Sequence, residues 1–291
     1  MEIICLANSF KHQGRCIAGI DRQSGRWVRP ISSCDDGRIP TDNRYIPVHR
    51  IGVLDILRIP VCDINDRVGH EIENVRYANS AWEIIGKAEI ANLLKYREAE
   101  LLFPQYGKSI PYAYLQTQAP VRSLQLVEVK SFVCHQNSQG KWRGIIADEK
   151  YDFADMELSI TDPVALEKLN RGETISPHCL LCLSLSQPFQ KEPTSPPLCY
   201  RLIAGVIELL PELEMIVQEM DRLSWSTEQG RKYLKEKYGK ISRYQLTRAE
   251  ARELLAFLRN IPSSHGEVEA RGESGDQLAE IRKSFPNAYK S

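Results

Sequence analysis

Short apolar runs separated by turn residues fill most of the first 210 positions, and this pattern predicts β-strands. The clearest case is residues 14–31, where two such runs flank a polar, glycine-containing turn and predict a β-hairpin. Further strands are predicted at residues 3–7, 51–59, 72–77, 82–85, 124–134, 141–146, 151–160, 179–185 and 200–209. Many short strands with Gly and Pro turns are typical of small barrels or sandwiches. A five-stranded OB barrel in each half fits this region as well as any alternative.

Helical spacing of apolar residues predicts a helix at 87–102 inside the β-rich region, followed by an extended connector at 103–120. Asp162 or Thr161 can cap a second, short helix at 163–169, which has Pro163 in its first turn. After residue 210 the pattern changes and predicts three helices, at 212–223, 227–238 and 248–260. The last two follow capping boxes that start at Ser226 and Thr247, and Gly239 is placed to end the helix between them.

We therefore predict a mainly β fold with some α: two tandem OB-like β-barrels followed by a small three-helix module. The expected boundaries are 1–120 for the first barrel with its helix and connector, 121–210 for the second barrel, 211–262 for a basic helical module, and 263–291 for a flexible tail with a brief helix near 277–283. A partial repeat supports two units of similar design, because Ser24-Gly-Arg-Trp-Val-Arg29 is echoed by Ser138-Gln-Gly-Lys-Trp-Arg143.

The charges exclude a protein that is coated in positive charge, since 38 Lys and Arg balance 38 Asp and Glu. A balanced total charge is still compatible with a local basic face, which is what nucleic-acid binding requires. Residues 224–262 hold nine Lys or Arg against four acids. No apolar run is long enough to cross a membrane, and the N-terminus lacks the layout of a cleavable signal, so we expect a cytoplasmic protein without membrane partners.

Trp and basic side chains at strand spacing form the main candidate site. Trp27 and Arg29 alternate with Val28 and should project from one face of the hairpin, where a ring and guanidinium groups suit stacking on a base and pairing with a phosphate. The alternative is that both Trp27 and Trp142 are core anchors. The full set expected to contact nucleic acid is Lys11, Arg15, Arg26, Trp27, Arg29, Lys141, Trp142, Arg143, Lys232, Lys235, Lys240 and Arg243.

The segment from Asn8 to His12 places hydroxyl, amide, ammonium and imidazole groups in a predicted turn, which would bind a phosphate or base edge or simply be a solvated loop. The eight cysteines include Cys179 and Cys182 at CxxC spacing. We expect them to be reduced, buried thiols and not a metal site, because no second ligand pair accompanies them.

Catalysis has weak support in the sequence. His12, Asp35 and Asp36 form a conceivable acid–base set, and two groups of acids form conceivable Mg²⁺ ligands: Asp55 with Asp63, and Asp148 with Asp152 and Asp155. Loop carboxylates in such numbers are usually solvated surface groups. We therefore assign no catalytic residue, metal or cofactor.

Residues 1 to about 209 resemble the prokaryotic dual OB-containing domain family. The resemblance is carried by Leu6-Ala-Asn-Ser9, Lys11-His12, Gly14-Arg-Cys-Ile-Ala-Gly19, Gly25-Arg-Trp-Val-Arg-Pro30, Glu73-Asn74, Thr161-Asp162-Pro163, Leu183-Ser184-Leu185 and Cys199-Tyr-Arg-Leu-Ile-Ala-Gly205. It implies two tandem OB folds and nucleic-acid or nucleotide binding, and it brings no established catalytic set. Residues 225–247 resemble a small helical module that is appended to cyanobacterial proteins, some of them DNA-associated.

Three functions remain open at this point. The first is a non-enzymatic protein that binds single-stranded DNA or RNA through tandem barrels and the basic helical module. The second is a sensor of a nucleotide or modified base whose helical module contacts a protein partner. The third is a metal-dependent nuclease that uses the acidic loops.

Overall fold

A computed structural model describes residues 1–34, 36–63, 71–118, 122–147 and 156–262. The fold is mainly β with helices at the C-terminal end, which confirms the predicted fold class. The predictions that concern Asp35, the strand at 151–155, and the tail at 263–291 with its brief helix fall outside the described residues, as do Asp148, Asp152 and Asp155.

Within the described residues, the first sheet contains eight strands from the N-terminal region. They are β1 (Glu2–Lys11), β2 (Gly14–Asp21), β3 (Trp27–Ile31), β4 (Ile39–Pro40), β5 (Asp55–Arg58), β6 (Val61–Asp63), β7 (Asn74–Tyr77) and β8 (Glu83–Lys87). The order is β6-β7-β3-β2-β1-β5-β8, and β4 pairs with β2. The predicted hairpin is confirmed, since Trp27 on β3 lies opposite Ile20 on β2. The strand predicted at 51–59 is shorter, because Leu54 has a positive φ of 72° and β5 begins only after it.

The second sheet contains seven strands in the part of the chain that the structure describes. They are β9 (Ser109–Pro111), β10 (Leu124–Val129), β11 (Phe132–Gln136), β12 (Trp142–Ile146), β13 (Glu157–Ile160), β14 (Cys179–Leu185) and β15 (Leu198–Glu208). The order is β10-β14-β15-β13-β12-β11, and β9 pairs with β15. Each sheet includes one parallel pair, β3 with β7 and β13 with β15, among otherwise antiparallel neighbours.

Five α-helices are present in the described residues: α1 (Tyr112–Thr117), α2 (Pro163–Asn170), α3 (Glu212–Arg222), α4 (Thr227–Tyr238) and α5 (Arg248–Arg259). The helix predicted at 87–102 is wrong in extent. It is a 3₁₀-helix limited to Ile90–Tyr96, because β8 continues to Lys87 and Arg97 forms a β-bridge with Leu126. Helix α1 lies in the segment predicted to be extended.

The C-terminal helices begin where the sequence predicts and end within one residue of the predicted positions. Ser226 and Thr247 each accept a hydrogen bond from the backbone three residues on, and the side chains of Gln229 and Glu250 bond back to the cap residues. Gly239 ends α4 with a φ of 67°, which glycine adopts without a steric penalty.

The two sheets are joined by one hydrophobic core. Leu6, Ala18 and Trp27 from the first sheet pack in the same cluster as Leu126 and Ala204 from the second. The approach is close, since a Cβ on Gly205 would stand 2.0 Å from the backbone oxygen of Leu6. Only glycine fits at such a backbone contact.

A short internal repeat lies at this junction. Arg15-Cys-Ile-Ala-Gly-Ile20 on β2 matches Arg201-Leu-Ile-Ala-Gly-Val206 on β15. In both hairpins the glycine of the repeat lies opposite a cysteine of the preceding strand, Cys5 with Gly19 and Cys182 with Gly205, next to a shift in register. The two copies of this repeat occupy equivalent positions in their hairpins, so it describes the structure better than the predicted echo around Trp27 and Trp142 does.

Candidate nucleic-acid interface

A cleft of about 500 Å³ lies between the two sheets. The first sheet contributes Phe10 and Lys11 near the end of β1, together with Arg29 from β3. The second sheet contributes Arg143 from β12 and Arg201 from β15. Near the cleft, β1 and β15 pack closely at Leu6 and Gly205. Phe10 follows Leu6 by four residues on β1, and Arg201 precedes Gly205 by four residues on β15.

The lining of the cleft is positively charged. Among the described residues, five Lys or Arg side chains line it together with two carboxylates, which are Glu71 and Glu157. Glu71 pairs with Arg29, and Glu157 lies 2.8 Å from the ring of His135. Lys108, Arg143 and Arg201 have no carboxylate partner among the described residues, so their charge is available to an anionic ligand.

Two exposed aromatic rings also line the cleft. Phe10 is 50 % exposed and Phe189 is 57 % exposed, which is unusual for phenylalanine. The Arg15 guanidinium covers the ring of Phe10 at 4.1 Å from its centre. The ring of Tyr200 lies 6.4 Å from that of Phe189. Burial lowers the pKa of Arg15, and two of its side-chain nitrogens are buried without a partner.

The expectation that Trp27 and Arg29 project together from an exposed face is wrong. Trp27 is only 9 % exposed and packs in the core that joins the sheets. The reason is that its side chain packs against residues of the second sheet such as Leu126, in a strand of which every residue is buried. Arg26, at the preceding turn, is exposed but does not line the cleft.

Arg29 is 2 % exposed and belongs to a buried polar network. It pairs with Glu71 and with Glu73, the latter at 3.3 Å, and it donates to the hydroxyl of Ser123 at 2.7 Å. Burial would raise the pKa of Glu71, but the guanidinium and a hydrogen bond from Asn74 hold it below its ordinary value. Although burial opposes its charge, the carboxylates raise the pKa of Arg29. Its charge is therefore already compensated.

Trp142 and Arg143 have separate roles in the structure. Trp142 packs at the edge of the second core, and its indole nitrogen donates to Asn170 at 2.7 Å. Arg143 follows on the same strand and lines the cleft. Lys141 is exposed at the start of this strand. The two tryptophans thus do not meet at one surface.

The predicted cations of the helical module differ in the contacts that their side chains make. Lys240 pairs with Glu250, and Lys232 lies 4.0 Å from Glu236. Arg243 lies over the ring of Tyr244 at 4.9 Å. Lys235 is exposed and has no ion pair among the described residues. With α3 included, residues 211–262 hold ten Lys or Arg against eight acids, so the net positive charge of the whole module is small.

The predicted loop from Asn8 to His12 is the end of strand β1 and the start of the turn after it. The Asn8 amide is buried and donates to the carbonyls of Val48 and Ile51, at 2.6 and 2.8 Å. The side chains of Phe10, Lys11 and His12 instead line the cleft. This segment was therefore the best sequence signal for the position of the cleft.

Cys179 and Cys182 are buried on strand β14 and pack in different cores, because residues three apart on a strand face opposite sides. Burial raises the pKa of both thiols. Across residues 1–34, 36–63, 71–118, 122–147 and 156–262, no three His, Cys, Asp or Glu side chains are grouped to hold a metal ion. The nuclease hypothesis depends largely on acids outside these ranges and stays a hypothesis.

Sequence reasoning missed Lys108, Phe189, Tyr200 and Arg201. The repeat that contains Arg15 and Arg201 was a usable signal, because an arginine before an apolar strand segment recurs at both places. Lys108 and Phe189 carried no signal, since they lie in segments without periodic pattern. In the described part of the chain, no helix has the length and apolar character that a membrane crossing requires.

Comparison with known proteins agrees with this architecture. Residues 1–206 match the dual OB-containing domain family, which is more than two thirds of the 291 residues. No curated protein and no solved structure matches the chain. The two sheets, their joined core and the extent of this match show that the chain belongs to the dual OB-containing domain family.

Proposed function

We propose that the protein binds single-stranded nucleic acid in the cleft between its two sheets. The observation that carries this proposal is the combination of exposed rings and uncompensated cations in one cleft, with Phe10 and Phe189 beside Lys108 and Arg143. Proteins that hold single strands use this combination, in which bases stack on aromatic rings and phosphates lie along a basic groove. OB folds are compatible with such binding.

The helical module adds a second basic surface in this proposal. Arg231, Lys232 and Lys235 are exposed on α4 and would contact the phosphate backbone without reading the sequence. Their contribution would be electrostatic and would weaken with salt.

The direct test is fluorescence anisotropy with labelled single- and double-stranded DNA and RNA at low salt. We expect single strands to bind, and Phe10→Ala and Phe189→Ala to weaken binding by about tenfold each, since stacking on one ring contributes about 1–3 kcal/mol. Tyr45→Ala is the matched control, because this exposed ring does not line the cleft. Absence of binding to every nucleic acid at low salt would exclude the proposal.

A free nucleotide or modified base is the second candidate ligand. The volume of the cleft, about 500 Å³, favours it because small-molecule sites usually enclose roughly 300–1,000 Å³. A thermal shift with one nucleotide, without binding to any oligonucleotide, would favour this sensor function over the polymer.

A further inference from the structure

Arg201 differs from ordinary buried arginines in having no counter-charge among the described residues. It is 2 % exposed and lines the cleft, and no carboxylate pairs with it among the described residues. One terminal nitrogen donates to the carbonyl of Leu102 at 2.8 Å, and the other reaches Gln125 only at 3.5 Å. The Nε atom is buried without a partner. Burial lowers the pKa of Arg201 to about 10, so the side chain is still charged at neutral pH.

Arg29 lies in the same cleft as Arg201 but has the carboxylate partners that Arg201 lacks among the described residues. Both arginines are 2 % exposed and line the same cleft. Arg29 is held by Glu71 and Glu73, whereas Arg201 meets only neutral acceptors. Burying an uncompensated charge is unfavourable, and an anion that enters the cleft would offset this cost.

Lys108 places a second cation next to Arg201. Its carbonyl oxygen accepts the backbone N–H of Arg201 at 2.8 Å, so the two residues are neighbours across the pairing of β9 with β15. The Lys108 side chain is exposed and lines the cleft. A buried guanidinium beside an exposed ammonium is suited to an anion with several oxygens.

From this arrangement we infer that Arg201 and Lys108 form a receptor for a terminal phosphate, the phosphomonoester at the end of a nucleic-acid strand or of a mononucleotide. Arg201 is too buried to touch a chain that runs past it, and an internal phosphodiester carries a sugar on both sides. A phosphomonoester projects from the end of the ligand, has three free oxygens and carries close to two negative charges at neutral pH. The inference rests on the proposed function, because it states which end of a bound strand or nucleotide the cleft recognises.

The test compares oligonucleotides of one sequence with a 5′-phosphate, a 3′-phosphate or two hydroxyl ends, together with a free nucleoside monophosphate. We expect one phosphorylated end to bind about tenfold more tightly than the hydroxyl form, as charge-assisted hydrogen bonds predict. Lys108→Gln and Arg201→Gln should each bring this ratio close to one, whereas Arg50→Gln, an exposed arginine outside the cleft, should leave it unchanged.

The outcomes separate this inference from the proposed function. Equal binding of all oligonucleotides would overturn the phosphate receptor and leave nucleic-acid binding intact. Binding of the monophosphate alone, with loss in Lys108→Gln, would support the receptor with a nucleotide as its source. Thermal unfolding checks that Arg201→Gln folds, and if it does not, an unchanged ratio in Lys108→Gln is sufficient to overturn the inference.

Discussion

The Arg29 guanidinium of the first sheet donates to the Ser184 hydroxyl of the second sheet at 3.3 Å, although 155 positions separate them in the chain. The same guanidinium pairs with Glu71 and Glu73. One buried cation therefore links two carboxylates of the N-terminal half to the sheet of the C-terminal half.

We expect Arg29→Met to lower the free energy of unfolding by about 3–5 kcal/mol, because it leaves two buried carboxylates without their cation. Urea denaturation at pH 7 measures this change. Arg26→Met is the matched control on the same hairpin, where the exposed side chain has no ion pair among the described residues, and it should change stability by less than about 0.5 kcal/mol. A similar small effect at Arg29 would contradict the structural role assigned to this network.

Trp27→Ala should destabilise the protein by about 3–5 kcal/mol, because it leaves a cavity in the core that joins the sheets. Trp142→Ala should cost less, since Trp142 is only half-buried at the edge of its own core. Differential scanning calorimetry of both variants gives the comparison. If Trp27→Ala kept the wild-type Tm and lost nucleic-acid binding, the ring would be a ligand contact and its assignment to the core would be incorrect.

Stability should depend on acid through Glu128, which accepts hydrogen bonds from Tyr244 at 3.1 Å and pairs with His178 and Arg97. Burial would raise the pKa of Glu128, but His178 and Arg97 lower it to about 2. Because the pKa of Glu128 is lower in the folded than in the unfolded protein, ionised Glu128 stabilises the fold at pH values above about 4.5. This contribution is lost as the pH falls from 4.5 toward 2.

We therefore expect Glu128→Gln to be less stable than the wild type at pH 7 and much closer to it in stability at pH 2.5, where most of the contribution of ionised Glu128 has been lost. Urea denaturation at several pH values measures the difference. Glu167→Gln is the control, because Glu167 lies in an exposed pair with Arg171 and should show little effect at either pH. A difference that did not shrink in acid would contradict the role given to the charged form of Glu128.

The salt dependence of binding should distinguish the cleft from the helical module. If both contact phosphates, Lys11→Gln and Arg143→Gln in the cleft and Lys232→Gln and Lys235→Gln on α4 should each reduce the slope of log K against log salt by about one. Anisotropy titrations from low to moderate salt provide the slopes. Unchanged slopes for the two α4 variants would restrict the nucleic-acid surface to the cleft.

Much of the fold was predictable because its signals are local. The hairpin at 14–31, helix α2 after Asp162 and the two capped C-terminal helices depend on residues within a few positions of each other. The predicted helix at 87–102 was wrong in extent because β8 and the bridge from Arg97 to Leu126 draw its ends into β-pairing with other parts of the chain. Such pairing partners are not visible in local periodicity.

The sequence by itself determined the strand-rich tandem pattern, the three C-terminal helices and the choice of basic and aromatic residues as the chemistry of the site. The tertiary structure decided which of those residues meet. Trp27 became core because residues of the second sheet pack against it, and Arg29 was neutralised by Glu71 and Glu73. Arg201 and Phe189 line one cleft with Phe10 and Lys11 because the two sheets pack against each other. Exposure and charge compensation depend on distant neighbours, so only the folded chain determines them.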